Sequence, residues 1–149
     1  MFLTVHGAIG IIIGQNVHNP FLAFVFGLAS HYLFDLIPHG DTNAPAKWKN
    51  NIHIAFAALV DMTILIIFLL FLGTKIQIIN LNIALAFFGA IIPDFLQGFY
   101  FLSSKKMFRF AQKIHDFFHF LIADTWEWKF TTGIILQILF FIFLITIIL

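Results

Sequence analysis

The chain has 149 residues, of which 61% are hydrophobic and only 10% are charged, with a formal net charge of +1. Soluble domains carry about 25% charged residues, so this chain lacks the charge to cover a water-facing surface, and a lipid bilayer is its expected solvent. The balanced charge without a dense basic patch gives no reason for a nucleic-acid partner, and the absence of cysteine excludes disulfides and thiolate metal sites.

In chain order, the opening "MFLTVHGAIGIIIG" lacks the basic region and cleavage pattern of a signal peptide and is expected to belong to the mature protein. A bilayer core about 30 Å thick needs roughly 20 apolar helical residues. The apolar segment 2–13 is too short for that, and the turn-rich "GQNVHNP" follows it, with Pro20 suited to the first turn of a new helix. Residues 21–37 then qualify as a span, so 1–37 reads as a helical hairpin with a short first arm. Further spans are expected at 53–72, 81–102 and 130–149. Between the last two, 105–129 mixes basic, apolar and tryptophan residues as an interfacial amphipathic helix does. No repeat or linker divides the chain. The expectation is one all-α integral membrane domain over 1–149, with four or five spanning helices plus the interfacial helix.

Alternating these spans puts Lys47, Lys49, Lys105, Lys106, Arg109, Lys113 and Lys129 on one side and Lys75 alone on the other. Excess Lys and Arg marks the cytoplasmic face. Trp48, Trp126 and Trp128 fall on that same side, where indoles favour the headgroup layer.

The polar residues within this apolar frame are the informative ones. His31 and Asp35, in "ASHYLFDLIPHGD", are one helical turn apart and share a face, and His115 and His119 in "HDFFH" repeat the spacing. Pro38 ends the second span, and Pro93 should interrupt the helix just before Asp94 and free a backbone carbonyl. In the expected topology His6, His31, Asp35, Asp94, His115 and His119 all fall toward one membrane face, and ionisable groups in membranes are expensive. Imidazole and carboxylate donors from separate helices suit a divalent ion, zinc first, and such ions bring the pKa of bound water to about 7. These six are the candidate ligands. Asp41 and Asp116 are the candidate general bases. His39 and Asp41 read equally as ligands or as polar residues of a turn around Gly40. Asp61 is expected to orient a histidine, His53 to sit at the interface, and His18 to lie on the opposite side. Gly7, Gly10 and Gly14 read as a helix-packing face.

The stretches "TVHGAIGIIIG", "GLASHYLFDLIPHGD" and "GAIIPD" resemble elements of the predicted membrane-bound metal-dependent hydrolases, a group of prokaryotic inner-membrane proteins, although the His-Arg-Gly-x-Thr-His-Ser motif of many members is absent. The resemblance implies a metal site at His6, His31, Asp35 and Asp94. It also implies hydrolysis at the inner membrane. Because the candidate site faces the headgroup layer, a phosphoester or lipid headgroup is the expected substrate, with membrane lipid as the partner. Two other classes use the same residues. One is a divalent-metal or proton transporter, which needs a polar path to the far side; the other is a non-catalytic membrane scaffold with structural His–Asp pairs. The far-side half of the chain is almost wholly apolar, against a conducting path.

Overall fold

The computed structural model describes residues 1–46, 51–76 and 80–149, so the expectations for Lys47, Trp48 and Lys49 lie outside the described residues. Among the described residues there are six helices and no strand: α1 (Leu3–Asn16), α2 (Pro20–Asp35), α3 (Asn51–Gly73), α4 (Leu81–Leu102), α5 (Arg109–Ala123) and α6 (Phe130–Ile148). Three are long and apolar enough to cross a membrane, over Ile52–Gly73, Leu81–Leu102 and Phe130–Ile148. That is fewer than the four or five expected, because the second expected span stops as a helix at Asp35 after 16 residues. Pro38 forbids its continuation, and Asp35 and His39 are drawn inward instead.

α1 is the axis of the bundle. Every residue from Thr4 to Ile11 is buried. α4 packs antiparallel against it and also lies along α2, with glycines at the tightest approaches. A methyl group added at Gly14 would overlap the backbone of Ile83, and one at Gly27 would overlap the carbonyl of Ala86. Without side chains between them the helix backbones come into direct contact, which is how helices associate where no hydrophobic gradient drives them together. The glycine face expected of α1 is therefore a packing face.

The end of the bundle around the α1–α2 turn is closed by aliphatic packing. Ile9, Ile11, Leu65, Phe68, Leu72, Ile83, Leu144 and Ile148 form a continuous buried cluster. At the opposite end, α1 begins and α2 finishes well short of the ends of α3, α4 and α6. Leu3 and Thr4 lie beside Asp61, ten residues into α3, or about 15 Å along its axis. The turns that α1 and α2 lack leave room for polar side chains inside the bundle. Pro93 does not break α4, which runs unbroken from Leu81 to Leu102. Pro93 has no N–H to offer Gly89, and the neighbouring carbonyl of Ala90 accepts from His31.

α5 turns its faces opposite to a helix on a soluble protein. Its buried residues are Gln112, His115 and His119, whereas Phe110, Phe117, Leu121 and Ile122 are exposed. The amphipathicity expected for this segment is present, but its polar face looks into the bundle and its apolar face looks out. Lipid is the solvent that this arrangement suits.

Candidate metal centre

Three helices bring four polar side chains together at the short ends of α1 and α2. α2 contributes His31 and Asp35, α4 contributes Asp94 and α5 contributes His115; one donor atom from each of these four lies within 4.8 Å of the others. His31 Nε2 is 3.3 Å from Asp35 Oδ2 and 3.7 Å from Asp94 Oδ1. His115 Nε2 is 3.3 Å from Asp35 Oδ2 and 3.4 Å from Asp94 Oδ1. His31 and Asp35 are almost completely buried.

The Ala90 carbonyl fixes which ring nitrogen of His31 must carry a proton. Nδ1 lies 2.8 Å from the Ala90 carbonyl, an acceptor only, so Nδ1 carries a proton and donates it. In the neutral ring Nε2 is then a bare lone pair, aimed at two carboxylate oxygens. Nε2 of His31, Nε2 of His115 and Oδ2 of Asp35 are all buried without a hydrogen-bond partner. Acceptor facing acceptor in a buried place is unfavourable unless a cation lies between them, either a proton on an imidazole or a metal ion. Backbone fixation of the remote nitrogen is also the usual arrangement of a metal-ligating histidine. His115 is held differently: the Gln97 side-chain nitrogen lies 3.2 Å from its Nδ1, so Nδ1 accepts and Nε2 of the neutral ring carries the proton toward Asp35 and Asp94, a proton that a metal ion at Nε2 would displace. Burial opposes charge on His115, but the carboxylates of Asp35 and Asp94 beside its Nε2 raise its pKa to about 9 in the metal-free site.

His6 stands beside this set. Its Nε2 lies 3.0 Å from Asp35 Oδ1, and its ring stacks on His31 with centroids 4.1 Å apart. It is placed to hold the carboxylate that faces the centre, outside the four residues whose donors converge. The nitrogen of Met1 is 2.8 Å from the same oxygen.

His119, expected with the others, belongs to a second group with His39 and Asp41. Its Nε2 is 3.0 Å from Asp41 Oδ2, and His39 Nε2 is 3.2 Å from that oxygen. Of the two residues expected as bases, Asp41 is in this group. Burial opposes its charge, but the hydrogen bond with His119 and the His39 ring beside it hold its carboxyl well below the usual carboxylate range. So acidic a group is a weak proton acceptor at neutral pH. Asp116 lies outside both groups and accepts a 2.7 Å hydrogen bond from Gln112.

Asp61 does not reach a histidine. It accepts from the backbone N–H groups of Leu3, at 2.6 Å, and Thr4, at 3.2 Å, and from the Thr4 hydroxyl. It thus caps the start of α1, satisfying donors that no residue of that helix serves. His18 lies at the α1–α2 turn, where its carbonyl accepts from Asn82, away from the centre. His53 is in the first turn of α3.

Sequence reasoning missed the residues that brace these groups. Gln137 of α6 accepts from Phe2 N at 2.7 Å and donates to the His39 carbonyl at 3.1 Å. Glu127 accepts from Gly40 N at 2.8 Å. A lone glutamine in "GIILQILFFIF" was the available signal.

No protein-family model, curated protein or solved structure matches the chain.

Proposed function

We propose that the protein is a metal-dependent hydrolase of a prokaryotic inner membrane, related to the group that its sequence resembles, with a divalent ion at His31, Asp35, Asp94 and His115. The single observation that carries this reading is the meeting of unpartnered imidazole and carboxylate donors, with the His31 lone pair directed inward by Ala90. The donor set suits zinc, and the bound ion would supply a nucleophilic water near neutral pH and polarise an ester or phosphoester oxygen. Around it, Asp35 is oriented by His6, His31 by Ala90, and His115 by Gln97.

A lipid substrate fits the surroundings. An apolar groove of about 570 Å³ runs between α2 and α5, lined by Phe26, Tyr32, Leu33 and Phe118 among others; it includes Ser30 and Tyr32, the chain neighbours of His31, while His31 itself is buried behind it. The basic residues Lys105 and Lys106 follow α4, Arg109 and Lys113 lie in the first turns of α5, Lys129 precedes α6, and Lys75 follows α3 at the other end. This distribution supports a cytoplasmic orientation of the site. In this reading α3, α4 and α6 cross the bilayer while the α1–α2 hairpin enters from the far face and stops at the site.

The depth of the site, about 15 Å along α3, also favours a second reading as a transporter, whose ligands sit near the midplane. The aliphatic cluster beyond it gives an ion no polar groups to follow. The purified chain in liposomes separates the two. The hydrolase reading expects chelator-sensitive product release from a phosphoester or phospholipid, lost in Asp94→Asn, with metal and proton gradients maintained. Gradient-driven flux that requires His31, with no ester hydrolysed, would contradict it.

A further inference from the structure

The group formed by His39, Asp41 and His119 is built by the fold and not by chance proximity on a loop. Gly40 adopts φ +88°, a left-handed conformation that glycine accommodates without strain and that turns the chain between His39 and Asp41. The turn sits on Gly133 of α6, so closely that a methyl group there would overlap the His39 carbonyl. Gln137 holds that carbonyl from one side, and Glu127 holds Gly40 N from the other. His39 Nδ1 lies 2.8 Å from the Ile37 carbonyl and must donate to it, which leaves Nε2 of the neutral ring as a lone pair facing Asp41 Oδ2 at 3.2 Å. His39 is 4% exposed and this Nε2 has no hydrogen-bond partner. His119, 8% exposed, closes the group from α5, so both nitrogens that face Asp41 come from buried rings.

We propose that His39, Asp41 and His119 form a second divalent-cation site, distinct from the four-residue centre and nearer the membrane surface. Two imidazoles and one carboxylate are a three-donor set, which leaves a tetrahedral ion one position for water or a ligand oxygen, whereas the four-residue centre supplies all four. The Asp41 side chain is 48% exposed, so this site has a route to solvent that buried Asp35 lacks. α5 serves both sites through His115 and His119, whose ring centroids are 5.8 Å apart. The open position makes this the site where an anionic headgroup or phosphoester oxygen is engaged. Occupancy by an ion does not depend on the hydrolase reading.

Zinc stoichiometry of the chelator-stripped, reloaded full chain in detergent tests the site without recourse to activity. The wild type should retain two zinc ions per chain; Asp41→Asn should retain one, and Asp94→Asn should retain the other. Because the chain has no cysteine, His119→Cys offers a positive readout that misfolding cannot imitate. Loaded with cobalt(II), it should show thiolate-to-metal charge-transfer absorption that the wild type lacks. One ion per wild-type chain, or absence of that absorption, would overturn the second site. Loss of zinc in Asp94→Asn beside unchanged content in Asp41→Asn would overturn it while leaving the four-residue centre intact. A chain that binds no zinc at all would overturn both.

Discussion

At the scale of single residues, the centre is governed by which nitrogen of each histidine is committed elsewhere. His31 and His39 each spend Nδ1 on a backbone carbonyl and present Nε2 inward. Replacing Asp35 removes a donor and also the partner of His6, so Asp35→Asn should weaken zinc binding at least 10–100-fold, the usual loss when a group supporting a metal site is removed. His18→Ala, at the far turn, should change it little; equal losses in isothermal titration would point to general unfolding. The pH response follows from His115. With no metal its pKa is raised to about 9, above the ordinary 6.5, because the adjacent carboxylates of Asp35 and Asp94 outweigh burial. Its contribution to stability is therefore fully present below pH 6.5 and is lost as pH rises toward 9. Metal must displace the same proton, so zinc affinity should rise across that window while chelator-treated protein becomes easier to melt. A melting temperature in chelator that rises between pH 6.5 and 9 would contradict this assignment.

At the scale of elements, Asp61 shows how one helix completes another. It accepts the orphan N–H groups at the start of α1, a helix with no side-chain cap of its own. Loss of such a cap costs about 0.5–2 kcal/mol. Asp61→Ala should lower stability by about that amount, read by thermal melting in detergent, and should loosen the end of α1 that carries His6. Asp61→Asn, which keeps an acceptor oxygen, should lose less. Much of the arrangement was readable before the structure. Turn-spaced pairs such as His31/Asp35 and His115/His119 follow from helix periodicity, and the glycines of α1 announced a close packing face. The role of Asp61 was not readable, because an interhelical cap depends on where two helices meet and leaves no local pattern. The separation of His119 from His115 was hidden for a related reason. Periodicity puts both on one face, but only the docking of the His39–Asp41 turn on Gly133 gives His119 its own neighbours. The length of α2 was overestimated because apolar content continues past Asp35 as far as Pro38, whereas the helix ends with the side chain that enters the centre.

At the scale of the whole molecule, the exterior is apolar along its helices and the polar groups are gathered inside one end. Phe21, Ile52, Leu59, Leu70 and Leu102 are among the most exposed residues, while the histidines and Asp35 of the two groups are buried. This is the inverse of a water-soluble bundle, and α5 repeats the inversion by itself. Cysteine placed at Lys105 and at Lys75 should therefore be labelled from opposite sides of the membrane, with Lys105 shielded from an impermeant reagent in intact cells and Lys75 open to it. Labelling of position 105 from outside would reverse the orientation and place the site toward the exterior.

The central claim is that a metal ion, and not merely a proton on an imidazole, reconciles the buried donors of His31, Asp35, Asp94 and His115. Anomalous diffraction at the zinc edge, from crystals of the full chain grown with zinc, tests it most directly. A peak is expected inside these four residues, with His31 Nε2, His115 Nε2 and the carboxylate oxygens each about 2.0–2.2 Å from it. A well-ordered centre without such a peak, His115 hydrogen-bonded to both carboxylates as an imidazolium, would contradict it.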